Sequence, residues 1–264
     1  MSINSVEKIR EKWARGELVV GTTVSFADPQ VTELTAETGI DMINIDLEHG
    51  LLNVHQSLLH VMVARGQDVP IVIRVPTFDP VVIKPVLELH PAGIIVPRVT
   101  CAEEAALAIG GCKYPPRGTR GFGPARGTGY GRIGQMDFLE IADSETMVWI
   151  QIEDIRAVNN IDAILDLPGI DSIMLGPNDL SGTMGMLGQT NHPEVWAAID
   201  TVVAKCKARN IPVGAGLGLD PPRLRRFIDI GLSWVTVNDD TGTLYSATKS
   251  MLDQVLDLEK EVKS

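Results

Sequence analysis

The residues of this chain best suited to chemistry are His49, Arg74, Glu153 and Asp179, and each closes or follows an apolar run. The runs are Asp41-Met-Ile-Asn-Ile-Asp-Leu-Glu-His49, Ile71-Val-Ile-Arg74-Val-Pro, Val148-Trp-Ile-Gln-Ile-Glu153 and Ser172-Ile-Met-Leu-Gly-Pro-Asn-Asp179. A base, a cation and two carboxylates gathered at neighbouring strand ends are the parts needed to make and stabilise an enolate with a metal ion's help.

Each residue also has a plainer reading. Glu153 and Asp179 belong to consecutive strands, about 5 Å apart at the sheet. Two carboxylates there repel unless one is protonated or a cation bridges them. Alternatively, one caps a helix and the other pairs with Arg156. With no His or Cys beside them, an all-oxygen site suits Mg²⁺ or Mn²⁺ better than Zn²⁺. His49 is either a loop histidine or a base, and Asp46 just upstream favours the base by orienting the imidazole. Arg74 lies in an otherwise apolar strand, so its guanidinium needs an anion. That anion is either a structural salt-bridge partner or a developing enolate oxygen. The turn Gly176-Pro-Asn-Asp-Leu-Ser181 offers backbone N–H groups to a carboxylate, or simply starts a capped helix. His55, His60 and His90 fall in helical segments and His192 precedes a proline, so all four read as structural.

These side chains must be positioned by strands and helices in alternation. Short β-branched runs at 18–26, 41–48, 70–77, 93–99, 146–153, 171–177, 212–218 and 234–239 are separated by longer helical patterns. Parallel neighbours need such crossovers, and eight of them close a (β/α)8 TIM barrel. A barrel takes about 250 residues, so residues 1–264 read as one domain, with no composition break for a linker. Pro29, Pro80 and Pro193 mark helix starts, and Gly39, Gly169 and Gly231 mark helix ends. The amphipathic segment from Leu244 to Val262 packs either on its own barrel or on a neighbouring subunit. Residues 115–134 have no strand or helix period and carry Arg117, Arg120, Arg126 and Arg132. A loop this long is often functional; with Arg98 it points to an acidic or hydroxylated aldehyde, or else it is a subunit contact.

Composition narrows the classes. A net charge of −11 disfavours nucleic acid or an anionic membrane as partner. Cys101, Cys112 and Cys206 lack metal-site spacing and read as reduced thiols of a cytoplasmic protein. The charged N-terminal segment reads as an amphipathic helix without a signal-peptide core, and no stretch approaches a membrane span. Gly214-Ala-Gly216-Leu-Gly218-Leu219 imitates a dinucleotide fingerprint but ends in Leu219 and lacks the βαβ context. No lysine sits at a strand end, which argues against a Schiff-base mechanism.

Seven segments together resemble the HpcH/HpaI aldolase family of class II pyruvate aldolases over nearly the whole chain. They are Asp46-Leu-Glu-His-Gly50, Arg74-Val-Pro76, Gly93-Ile-Ile-Val-Pro97, Tyr114-Pro-Pro-Arg-Gly-Thr-Arg-Gly121, Gln151-Ile-Glu153, Gly176-Pro-Asn-Asp-Leu-Ser181 and His192-Pro-Glu-Val195. The resemblance implies a barrel assembled as a homo-hexamer, with C-terminal helices exchanged between subunits. It implies a divalent metal, Mg²⁺ or Mn²⁺ with Co²⁺ as a third candidate, held by Glu153 and Asp179. Pyruvate would chelate it, steadied by Gln151 and the backbone at Asn178 and Asp179. Arg74 would stabilise the enolate, and His49, oriented by Asp46, would move the proton of the aldol hydroxyl. Glu88, where the family often has aspartate, would reach a neighbouring subunit's site. Leu47, Arg98 and the stretch from Val237 to Gly242 also depart from the family pattern.

The expected reaction is cleavage of a 4-hydroxy-2-oxo acid to pyruvate and an aldehyde, and its reversal. Oxaloacetate decarboxylation would use the same residues. A CoA-thioester lyase and a non-catalytic barrel are the remaining readings.

Overall fold

The computed structural model describes residues 4–263. Of the expected N-terminal helix, residues 1–3 therefore lie outside the described residues. All eight expected strands form: β1 Val19–Val24, β2 Met42–Asp46, β3 Ile71–Arg74, β4 Gly93–Val96, β5 Met147–Ile152, β6 Ser172–Leu175, β7 Val213–Leu217 and β8 Trp234–Asp239. They pair in parallel in chain order and β8 closes on β1, giving the expected (β/α)8 barrel.

The helices follow the same order. They are α1 Val6–Ala14, α2 Gln30–Glu37, α3 Val54–Gly66, α4 Pro80–Leu87, α5 Ala102–Cys112, α6 Gln135–Glu145, α7 Ile155–Asn159, α8 Ile161–Leu165, α9 Pro177–Thr183, α10 Pro193–Ala208, α11 Pro221–Asp229 and α12 Asp240–Lys263. Local signals act as the sequence suggests. Pro80 and Pro193 open their helices, and Gly39, Gly169 and Gly231 all take positive φ. His90 departs from expectation: it follows α4 at φ 57° instead of lying in a helix.

Strand alternation sorts the side chains into two cores. Outward residues such as Ile43, Ile73, Ile94, Ile150 and Ile173 pack under the helices. Inward residues plug the lower barrel, where Met42, Val72, Ile95, Met147, Trp149, Met174 and Trp234 meet Val6 and Ile9 of α1. The Trp149 and Trp234 rings lie 4.6 Å apart, and the Trp234 indole N–H donates to Ser172 Oγ at 2.8 Å. Above this apolar plug, the same inward faces present Asn44 and Asp46 on β2, Arg74 on β3 and Gln151 on β5. One strand face thus runs from apolar anchor to chemistry.

The glycine-rich run at 214–218 has a packing role. A Cβ at Gly214 would lie 2.1 Å from the Trp234 ring, so only glycine lets that indole lie against β7. Gly214→Ala is expected to lower stability by about 1–3 kcal/mol, read as an earlier urea midpoint. An unchanged midpoint would reject the close contact.

Two peripheral features bear on function. The 115–134 loop follows α5, not β4, and a segment that leaves a helix to reach a strand sits at the N-terminal end of the barrel. Arg126 Nε donates to Leu89 O at 2.9 Å, and Arg120 pairs with Glu88 at 3.1 Å. These arginines therefore face away from their own chain's strand C-termini. By contrast, α12 buries none of its residues. Met251, Val255, Leu258 and Val262 repeat on one side of it and all stand exposed.

Candidate active site

The C-terminal ends of β2, β3, β5 and β6 bring His49, Arg74, Glu153 and Asp179 together. Two connected hollows share them. A cleft of about 770 Å³ over the barrel mouth is lined by Asp46, His49, Arg74, Gln151, Asn178 and Asp179, among others. A smaller pocket of about 240 Å³ lies beside it and includes Glu48, His49, Arg98, Glu153 and Asp179.

Arg74 ties the first half of the site. Its Nε and Nη2 donate to the two Asp46 oxygens at 2.9 and 2.5 Å, and Nη1 lies 3.2 Å from Glu48 Oε2. Burial pushes the Asp46 carboxyl up, but the Arg74 hydrogen bond and charge outweigh it and hold Asp46 below the usual range. Glu48, with burial opposing Arg74's charge, lies above its usual range. Arg74 thus has the anionic partner that burial demands, and it still lines the cleft.

The expected Asp46–His49 ring contact is not what forms. Asp46 accepts the backbone N–H of Glu48 at 2.9 Å and of His49 at 3.3 Å. With the Arg74 fork added, its oxygens are taken. The acid beside the imidazole is Glu48, whose Oε2 lies 3.7 Å from His49 Nε2. Asp46 fixes the turn that carries His49, and the ring stands at the lip with 64% of its side chain exposed.

Glu153 forms the second half. Its Oε1 accepts the Arg98 backbone N–H at 2.8 Å, and its Oε2 accepts from Gln151 Nε2. Burial raises its carboxyl to about 7, with Glu48 and Asp179 pushing the same way against the Arg98 amide and Arg74. Arg98 has φ 62°, a left-handed backbone that turns its N–H toward Glu153. Asp179 lies in the first turn of α9, whose Gly176 packs so closely that a Cβ there would sit 2.6 Å from Glu153 Cβ. The plainer reading of these carboxylates belongs to a neighbour. Asp154 both caps α7 and pairs with Arg156.

The residues fit a divalent cation of the hard, oxygen-liking kind. Four carboxyls, Glu48, Glu153, Asp154 and Asp179, border one pocket; Gln151 Oε1 is buried without a hydrogen-bond partner, and Glu48 Oε2 has only its ion-pair contacts to Arg74 and His49. Among the described residues no group of three or more His, Cys, Asp and Glu is placed to hold a metal ion, so protein ligands would number two at most. A two-carboxylate corner that leaves positions for water and substrate oxygens suits Mg²⁺ or Mn²⁺ better than a cage would.

Glu88 is not part of this assembly within the chain. It follows α4 at the far end of the barrel and pairs with Arg120. The sequence reading missed Glu48 as a site residue. Its position between Asp46 and His49, where both Arg74 and the imidazole can reach it, was the available signal.

Residues 21–247 match the family model described as HpcH/HpaI aldolase/citrate lyase. The chain is 32% identical over 247 residues to 5-keto-4-deoxy-D-glucarate aldolase of Klebsiella pneumoniae subsp. pneumoniae, covering 93% of this chain and 95% of the relative. The fold superposes on an HpcH/HpaI aldolase from Desulfitobacterium hafniense DCB-2 with a TM-score of 0.87 at 27% identity, covering 93% of this chain and 95% of the other. It superposes on an HpcH/HpaI aldolase/citrate lyase family protein from Burkholderia cenocepacia J2315 with a TM-score of 0.86 at 27% identity, covering 95% and 98%.

Proposed function

The chain belongs to the HpcH/HpaI aldolase/citrate lyase family, a family of carbon–carbon lyases, and on that premise we propose that it cleaves 4-hydroxy-2-oxo acids to pyruvate and an aldehyde and catalyses the reverse addition. The observation that carries this reading is the buried Glu153, bordering one pocket with Glu48 and Asp179, whose charges crowd it while that of Arg74 offsets them in part. Such a corner gathers more carboxyls than arginines and is open to substrate oxygens.

Glu153 and Asp179 would hold a divalent metal, Mg²⁺ or Mn²⁺. When bound, it supplies positive charge beside the substrate's 2-oxo group and so lowers the cost of the charge that bond cleavage leaves there. Gln151 Oε1 and Nε2 flank that corner and orient the oxo acid, with the backbone at Asn178 and Asp179 receiving its carboxylate. His49 takes the proton of the C4 hydroxyl. The C3–C4 bond then breaks, the C4 oxygen becomes the aldehyde carbonyl, and the released electron pair enters the C2–C3 bond. Arg74 balances the negative charge that reaches the C2 oxygen. Proton return to C3 gives pyruvate, and in the synthetic direction His49 gives its proton back. Glu48 steadies the His49 ring at 3.7 Å.

His49→Ala is expected to slow cleavage on the order of 10²-fold while Mn²⁺ binding stays intact. Wild-type turnover in that variant would remove His49 from the proton path.

The uncovered apolar side of α12 supports assembly with further copies of this chain, as a hexamer with exchanged C-terminal helices. In that assembly Glu88 would reach a neighbour's site. Among the described residues no helix is long and apolar enough to cross a membrane; a cytoplasmic setting is part of the proposal and rests on the three cysteines read as reduced thiols.

The direct test is pyruvate in D₂O with the protein and Mg²⁺ or Mn²⁺. Loss of the methyl proton signal that stops on adding a chelator is the expected result. No exchange with either metal would sink the aldolase reading. The relatives' named substrate, 5-keto-4-deoxy-D-glucarate, whose aldehyde half carries a carboxylate, is then compared in a cleavage assay with a 4-hydroxy-2-oxo acid whose aldehyde half is uncharged.

A further inference from the structure

The cleft extends well beyond the Glu153–Asp179 corner, and its opposite floor has a different character. There Thr23 of β1 and Asn44 of β2 lie side by side as register partners, and Thr236 of β8, paired with Gly21, lines the same cleft two residues lower on β1. None of them takes part in the chemistry derived above.

Their hydrogen bonding is incomplete. Asn44 Nδ2 donates to Thr23 Oγ1 at 3.1 Å. That bond occupies one lone pair of the Thr23 hydroxyl and leaves its hydrogen free to donate. Asn44 itself is only 4% exposed, and its Oδ1 has no hydrogen-bond partner. A buried amide oxygen left without a donor is costly, and native interiors rarely keep one without a use. Across the floor, a Cβ at Gly216 would lie 3.1 Å from Thr236 Oγ1, so glycine leaves that hydroxyl uncovered. The floor thus offers an acceptor and two hydroxyls to whatever reaches it.

Charge narrows the ligand further. Among the described residues lining the cleft, Arg74 is the one Lys or Arg, and the reaction derived above already commits it to the C2 oxygen. Asp239 on the same wall adds negative charge. An anionic tail would find no free cation there.

We propose that Thr23 and Asn44, with Thr236 beside them, form the acceptor subsite, which selects an uncharged aldehyde carrying a hydroxyl next to its carbonyl. That hydroxyl donates to Asn44 Oδ1 and accepts from Thr23 Oγ1. The inference rests on the aldolase reading above, and it assigns recognition of the aldehyde's hydroxyl to the floor of this chain's own barrel. Arg98 borders the smaller pocket on the other side of Glu153, and the loop lies at the far end of the barrel.

The test adds pyruvate to glycolaldehyde, to propanal and to glyoxylate, using the full chain with Mn²⁺, beside the D₂O exchange of pyruvate alone. Propanal matches glycolaldehyde in size without the hydroxyl, and glyoxylate carries an anion. Glycolaldehyde should exceed both in kcat/KM by about tenfold or more, because a polar site rejects an analogue that leaves it unpaired. Asn44→Leu should bring the ratio of glycolaldehyde to propanal down to about one. Thr23→Val provides the same readout where the first variant does not fold. Exchange with no preference for glycolaldehyde, or with glyoxylate preferred, overturns the acceptor assignment and leaves the aldolase reading standing. A ratio unmoved in both variants overturns the two residues. The absence of both exchange and addition overturns the aldolase reading itself.

Discussion

Glu153→Gln should cut metal-dependent pyruvate exchange by about 10³-fold or more, yet leave the metal-free protein at least as stable as wild type at pH 8. The two halves of this expectation have one cause. Glu153 is 5% exposed, and its carboxyl is raised from 4.5 to about 7, chiefly by burial. A carboxyl raised in the folded state binds its proton more tightly there than in the unfolded chain. Its contribution is therefore neutral below pH 4.5 and becomes a growing cost as pH rises to about 7, reaching its full value above that. Glutamine keeps the shape and still accepts the Arg98 amide. Gln151 can turn its own amide so that its unpartnered Oε1 meets the new NH₂. The charge that burdens the apo fold is the charge that would hold the cation. Thermal melts with a chelator, set beside exchange with Mn²⁺, separate the two effects. A variant that loses stability along with activity would mean that Glu153 is a structural residue.

Arg74→Met is the second large effect, expected to cost about 3–5 kcal/mol and to abolish measurable turnover. The Arg74, Asp46 and Glu48 side chains are 13%, 11% and 10% exposed, so solvent screening does little to soften the loss. Without the guanidinium, two buried carboxyls have no counter-charge. The pH dependence has a definite sign. Asp46 lies below its ordinary 3.8 in the folded state, so its pairing with Arg74 stabilises the fold above pH 3.8 and is lost as pH falls through the lower folded value. The deficit of the variant should be full at pH 7 and should close only in strong acid. Arg74→Lys should recover part of the stability and little of the turnover, because one ammonium cannot span both acids. Urea midpoints across pH read the first part. A Lys variant with wild-type turnover would remove Arg74 from charge stabilisation.

The barrel was legible because each strand carried its own punctuation. Runs such as Ile71–Arg74 and Ser172–Leu175 are short, β-branched and bounded by turn residues, and each formed where the pattern placed it. The convergence of Glu153, Asp179, Arg74 and His49 followed from closure, since residues just past parallel strands must share one rim. What the sequence did not reveal was pairing at the level of single oxygens. Asp46 precedes His49 closely enough to suggest a ring contact, but the turn between them spends its carboxylate on backbone N–H groups. Glu48 received the imidazole instead. The arginine-rich loop was open to two readings, a substrate clamp and a subunit contact, and topology bears on the first. Its composition resembles a substrate clamp, but it emerges from a helix and so lies at the other end of the barrel. Asn44 drew no attention because one amide among apolar neighbours has no period of its own. Only the structure shows that its oxygen lacks a partner.

The grip on Glu153 comes from the main chain of residue 98, not from its side chain. Backbone amides do not change when a codon does. Position 98 is therefore free to vary in evolution, or in a mutant library, without releasing the carboxylate, provided that the newcomer tolerates a φ of 62°. Glycine and asparagine meet that condition most readily. The wall of the smaller pocket can be redecorated there while the catalytic corner keeps its geometry.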